Sequence, residues 1–334
     1  MVTLLVAMED SLLVATGDDG DWRAERRSIG TSERIECVAA APSKPGRIFC
    51  GTLGGGLRRS EDGGETWVRI AADAVESAAV TSVAVSPRDP DEVWVGTEPS
   101  AVYRSLDGGD TWWRRGEPTD LPSASGWSFP PRPHTHHVRW IEVDPAAPDH
   151  LYVSIEAGAL IQTRDAGETW VDRVPSSRRD NHSLATHPEA PGRAYAAAGD
   201  GYAETRDAGE TWVHPQEGLD HRYVWSVAVD PGDPDTRLVS AARGPQSAHS
   251  AGSAESYVYR RTGDDPWERV AGLPSGEGVL RPVLAAGHAP MELYAASNRG
   301  LFRTGDAGGE WTRLDVSWPA AFERQAVRGL VTLP

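Results

Sequence analysis

The chain has 334 residues, 39% of them hydrophobic, with Gly 35 and Pro 25 supplying many turn positions; that is enough apolar material for a large core, and length alone would suggest about two domains. The formal net charge is −16 and, of 33 basic residues, only Lys44 is a lysine, so the surface field repels nucleic acid and anionic membranes and neither is expected as a partner. No stretch approaches the ~20 apolar residues of a membrane-spanning helix, and the opening Met1-Val-Thr-Leu-Leu-Val-Ala-Met-Glu lacks the basic leader of a signal peptide, so a cytoplasmic protein is expected.

Read from the start, Leu4-Leu-Val-Ala, Leu12-Leu-Val-Ala and Trp22-Arg-Ala-Glu form three short apolar segments separated by turn residues. They predict strands B, C and D of a first four-stranded unit that lacks its strand A. Cys37 and Cys50 fall in neighbouring predicted strands of the next unit. Two cysteines without a secretion signal read as reduced core thiols. Ser60-Glu-Asp62-Gly-Gly64-Glu-Thr66-Trp67 then introduces a motif that returns at Asp107, Asp165 and Asp207 and, more weakly, at Asp306. Degenerate copies end at Trp22 and Trp267. The seven tryptophans recur at spacings of 45, 45, 58, 42, 55 and 44 residues, a period that suits one propeller blade.

Within one unit, Val80–Ser86 predicts strand A, Glu92–Thr97 strand B, Ala101–Ser105 strand C, and Thr111-Trp112 opens strand D. The C-terminal Val327–Pro334 supplies the strand A missing from the first unit, which closes the ring and removes its open edges. The predicted fold is all-β: one domain over 1–334, a seven-bladed β-propeller of four-stranded antiparallel blades.

The motif S/T-x-D-x-G-x-T-W, matched in full by four copies, resembles the Asp-box (BNR) repeat of sialidases, related glycoside hydrolases, sortilin-type receptors and a photosystem assembly factor. Chain organisation resembles uncharacterised prokaryotic BNR-repeat proteins grouped with glycosyl hydrolases, and the acid-rich, lysine-poor composition resembles proteins of salt-loving archaea. The resemblance implies the fold; for function it implies little, because unrelated activities share this scaffold. The repeated carboxylates Asp62, Asp107, Asp165, Asp207 and Asp306 are expected to be structural. A short Asp in a C–D hairpin accepts backbone N–H bonds, and a catalytic group would not recur around the ring.

Antiparallel strands sort the loops onto two faces. The 58-residue interval holds a long D-to-A connection, 121–137, entering blade four; the 55-residue interval holds a long B–C turn, 243–255, in blade six. Both fall on one face and flank blade five, where function is expected. Arg328, Glu36, Thr81, Arg139, His182 and Trp225 each lie six residues before a proline that ends strand A, and Arg281 lies near the matching place in blade seven. These positions should surround the channel mouth on the long-loop face.

The predicted ligand-binding residues are therefore Arg139, His182, Trp225, Tyr223, Arg222, Arg281, Arg328 and Glu36. Arginines among them suit bidentate binding of a carboxylate or phosphate. His134, His136, His137, His182 and His221 would supply a divalent-metal site, imidazole being a ligand for Zn, Mn or Ni; an exposed metal-free loop is the simpler reading of His134–His137. Glycoside cleavage needs paired carboxylates, or a Tyr nucleophile with a Glu in sialidases; Glu36, Glu98, Glu156, Asp180, Asp200 and Tyr223 are the candidates. The N-terminal Arg-Ile-Pro element of sialidases is absent, which argues against a sialidase. The reading that gathers most of these residues is a propeller binding a small polar or anionic ligand, carbohydrate included, over blades four to six. The alternatives are a metal-assisted hydrolase or lyase, a glycoside hydrolase and a protein-interaction scaffold.

Overall fold

In the computed structural model, which describes residues 1–18 and 20–334, the described strands form seven antiparallel sheets set around a central channel, one per predicted blade. The first blade is assembled from both ends of the chain. Gly329–Leu333 is its inner strand and pairs with Val2–Ala7, with Leu4 opposite Thr332 and Leu5 opposite Val331; Leu12–Asp18 and Asp21–Arg27 follow outward. Each polar ladder edge that the two termini would otherwise leave bare is thereby paired.

Strand A of blades two to seven is Ile35–Ala40, Val80–Val85, Val138–Val143, Asn181–Thr186, Tyr223–Asp230 and Val283–Ala286. Strand B is buried along its whole length in blades two to five and in blade seven, as in Ile48–Thr52, Val93–Thr97, Leu151–Ile155 and Ala194–Ala198. A strand covered on both faces reads as a continuous apolar run rather than an alternation, which these segments do. In blades four and five strand D shrinks to single bridges, Gln162 with Val171 and Glu204 with Val213. Pro175 and Pro215 follow shortly after, and a proline has no N–H to continue the ladder.

The repeated C–D turns share one hydrogen-bond pattern. Asp62 Oδ1 accepts from the Ser60 hydroxyl at 2.7 Å and from the Thr66 N–H at 2.9 Å, while Oδ2 accepts from the Thr66 hydroxyl at 2.6 Å. Asp107, Asp165 and Asp207 repeat all three bonds. At Asp306, Glu310 stands where the others have Thr, and only the backbone and Thr304 bonds remain. Donors from the Thr hydroxyl and N–H and from Thr205 hold the Asp207 carboxyl down at about 2, the expected sign for a carboxylate bonded in its charged form. The residue after each Asp takes a left-handed φ, +74° at Gly63 but also +56° at Ala208.

One irregularity recurs where the blades meet the channel. In blades two to six the A–B register slips by one residue, and the residues skipped are Glu36, Thr81, Arg139, His182 and Trp225. A β-bulge leaves its extra residue unpaired and re-aims its side chain. Five of the seven equivalent positions read from the proline alignment are thus the bulge residues themselves. Arg328 sits just before the inner strand of blade one, donating its N–H to the Ala7 carbonyl at 2.8 Å, and Arg281 sits just before that of blade seven. Small residues make room at this level: a Cβ on Gly96 would lie 2.3 Å from the Val138 side chain of the next blade.

Candidate functional site at the channel mouth

Side chains from the ring positions and the long loops enclose a cavity of about 370 Å3, within the range of small-molecule sites. Glu36, Thr81, Arg139, Trp225, Arg281 and Arg328 line it, joined by Phe129, Pro131, Arg132 and His137 from the connection into blade four and by His249 from the long turn of blade six. The two insertions therefore reach one place. The first enters as two short 3-10 turns, Pro118–Asp120 and Pro122–Gly126, followed by a tight Phe129–Arg132 bridge. The second enters as the single helical turn Pro245–His249, and its Ala248 carbonyl accepts the Arg281 N–H at 3.2 Å. Below the mouth, a cavity of about 780 Å3 lined by inner strands of all seven blades shares Arg139, Trp225 and Arg328 with it. Those three side chains form the floor between mouth and channel.

Trp225 is the centre of the floor. The Arg281 guanidinium lies 4.0 Å and the Arg139 guanidinium 4.7 Å from its ring centroid, His182 packs at 4.5 Å and His249 meets it edge-on at 4.7 Å. Cations over an indole face are favoured by its quadrupole, yet two of them also repel each other.

Most other charges at the mouth are paired. Arg132 grips both oxygens of Glu98, Arg34 donates to Glu36 at 2.6 Å, and Arg328 donates to Glu9 at 2.9 Å with Glu36 at 3.8 Å. Glu156 Oε2 takes a 2.8 Å bond from His137 Nε2 and has Arg139 Nε at 3.6 Å. Burial pushes the Glu156 carboxyl up, but the His137 bond and the charges of His137, His182 and Arg139 outweigh it and hold it well below the usual range. Arg281 differs. It is 2% exposed and, among the described residues, its side chain has no hydrogen-bond acceptor and no carboxylate within 4 Å. Burial, then the charges of Arg328 and Arg139, drive its pKa well below the ordinary arginine value.

His182 is fully buried at the seam of blades five and six. Its Nδ1 donates to the Val224 carbonyl at 2.7 Å, which leaves Nε2 without a hydrogen-bond partner, 3.7 Å from Asp180 Oδ2. Ligand atoms of Glu156, Asp180 and His182 lie within 4.8 Å of one another, the one His/Asp/Glu/Cys group among the described residues placed to share a metal ion. Tyr223 packs on His182 at 4.9 Å and donates its hydroxyl to His249 Nε2 at 2.8 Å. Burial, followed by the nearby charges of Arg281 and His182, pushes His249 down to about 2, so it accepts that bond as a neutral ring.

The five histidines read as candidate metal ligands are dispersed. His137 lines the mouth cavity; His182 is fully buried against Trp225, outside the cavity lining; His134 is exposed; His136 packs edge-on against Trp127 at 5.5 Å; His221 stacks on Tyr257 and bonds the Tyr259 hydroxyl at 2.6 Å in blade six. Arg222 is exposed and is not among the residues lining the mouth cavity, whereas its neighbour Tyr223 is buried beside His182. Asp200 pairs with Arg178, away from the cavity lining. His249 and Arg132 were not among the predicted ligand residues. Both stand in the two long loops, and loop length was their only signal. Glu98 and Glu156, weighed only as glycosidase acids, follow the strand B residues that pair at equivalent places with Val80 and Val138, so they come to the rim by blade symmetry.

No family model and no curated protein sequence matches the chain. Solved structures match in fold. An ancestral GH74 enzyme superposes with a TM-score of 0.67 at 16% identity, over 88% of this chain and 40% of that one. The GH74 xyloglucanase from Xanthomonas campestris gives 0.65 at 18%, over 86% of this chain and 46% of that one. YCF48 bound to D1 peptide gives 0.59 at 19%, over 86% of this chain and 82% of that one. The chain thus spans less than half the length of these two GH74 enzymes. At these identities the likeness shows a shared seven-bladed β-propeller and nothing finer.

Proposed function

We propose that this propeller binds a small carboxylate-bearing ligand, of the sugar-acid class, in the mouth cavity on the channel axis, whose lining comes from blades one to four, six and seven rather than from blades four to six alone. The observation that carries the reading is the unpaired guanidinium of Arg281. An isolated buried charge costs several kcal/mol unless something neutralises it, and Arg281 borders a cavity of ligand size with Arg139 and Arg328 beside it. A carboxylate entering there would provide the missing counter-charge and accept the planar donor fork of an arginine. Trp225, its ring packed by Arg281, Arg139 and His182, holds the two guanidinium groups at the floor of the cavity. Arg132–Glu98 and Arg34–Glu36 stand at the rim as polar groups already satisfied, able to orient hydroxyl groups.

Propellers of the same fold include a xyloglucanase and a peptide-bound protein, which is compatible with ligand binding and specifies no ligand. The exposed large apolar side chains include Val68, Trp113, Val171 and Val213, one on the outer edge of each of blades two to five, away from the mouth cavity lining. Calorimetric titration with glucuronate and galacturonate against glucose and galactose tests the proposal. The acids are expected to bind at least tenfold more tightly than their neutral counterparts, and Arg281→Met should erase the difference. Equal affinity for acid and neutral sugar, or acid binding unchanged in the variant, would contradict it.

A further inference from the structure

We propose that Glu156, Asp180 and His182 bind one divalent transition-metal ion, of the Zn2+ or Mn2+ class, at the wall of the mouth cavity. Proximity alone would not carry this, since acidic groups gather without metal. What carries it is that each residue has one polar atom tied to the scaffold and another left free. His182 Nδ1 is fixed by the Val224 carbonyl, and the ring, fully buried, presents an unpartnered Nε2. Asp180 Oδ1 accepts the Ala157 N–H at 2.8 Å, leaving Oδ2 as the oxygen nearer His182. Glu156 Oε2 is held by His137 and Arg139, and Oε1 has no hydrogen-bond partner among the described residues. Metal-binding histidines and carboxylates are commonly oriented in this way, one atom bonded outward and the other presented to the ion.

The distances agree. At 3.7 Å the Nε2–Oδ2 pair is too far apart for a hydrogen bond. Two ligands on one tetrahedral ion, each about 2.1 Å from it, stand about 3.4 Å apart, so small side-chain adjustments would close the set. One imidazole with two carboxylates is a borderline-to-hard donor set, which favours Zn2+ or Mn2+ over thiophilic ions. Glu156 lines the mouth cavity, so an ion bound to it would lie beside the space that Arg281 and Arg139 border.

The site does not depend on the carboxylate reading, and its test reads metal directly. Full-length protein treated with chelator and kept in 1 M KCl, to suppress loose binding by the acidic surface, is titrated with ZnCl2 by calorimetry and with MnCl2 by electron paramagnetic resonance. One ion per chain is expected, bound at least tenfold more weakly by Asp180→Asn and by His182→Gln. Asp180 is one-third exposed and Asn keeps the Ala157 bond, so that variant decides the matter even if the buried His182→Gln fails to fold. No specific binding of either ion by the parent, or equal binding by parent and Asp180→Asn, overturns the proposal.

Discussion

Replacing Arg281 by Met keeps an unbranched side chain against Trp225 while removing a buried charge that has no counter-ion. The unliganded variant is therefore expected to be more stable than the parent, by about 1–2 kcal/mol in denaturant unfolding, as when buried ionic groups are replaced by apolar ones. Glu142 provides a pH-dependent case on the channel side. Burial pushes its carboxyl up to about 7 despite hydrogen bonds from Trp140 and Thr186, with Asp144 adding to the rise. A raised carboxyl binds its proton more tightly folded than unfolded, so the stability it confers is complete below about pH 4.3 and lost as pH rises through 7. Between those values Glu142→Gln should lessen the decline by about 2 kcal/mol, read from unfolding curves at a series of pH values. Single residues were legible where a repeat supplied a frame, as at Arg139, Trp225 and Arg328. Arg281 was placed only approximately because its blade lacks the proline that anchors the others, and the isolation of its charge depends on which side chains end within reach of it.

The repeated turn is the element whose role the sequence states most directly, because its chemistry is local. Asp207 bonds Thr205 and Thr211 within five residues. Asp207→Ala is expected to cost about 1–2 kcal/mol in thermal or denaturant unfolding and to leave ligand binding unchanged. Its carboxylate contribution should be present above about pH 4 and fade as pH falls towards 2. The closing strand was legible for a different reason: the first blade lacked one strand and the C-terminus had one to spare. Deleting 329–334 exposes the Val2–Ala7 edge, and the truncated chain is expected to aggregate or to unfold at least 10 °C lower. The bulges were not legible. A slip of one residue leaves apolar alternation almost unchanged, and its cause lies in packing between blades, such as Gly96 against Val138 and the Thr81 hydroxyl on the Val138 carbonyl at 2.7 Å. Those bulges nevertheless determine which side chains face the mouth.

For the molecule as a whole, seven tryptophans at near-regular spacing gave the blade count, and strand parity gave the face on which both insertions emerge. Parity could not show that residues 129–137 and 249 meet over Trp225, because loop conformation follows from contacts with distant blades. It equally could not assemble Glu156, Asp180 and His182, which come from two blades and whose free atoms are set by separate backbone bonds. The net charge of −16 acts on the entire fold through self-repulsion. Raising KCl from 0.1 to 2 M should raise the melting temperature by screening it. The central claim is that the mouth supplies a cationic position awaiting a carboxylate, and the direct test is one melting experiment on parent and Arg281→Met, each with and without saturating glucuronate or galacturonate. The account predicts opposite signs: the variant alone melts above the parent, and the sugar acid raises the parent but not the variant. A variant that melts below the parent and is stabilised by the sugar acid to the same extent would contradict it.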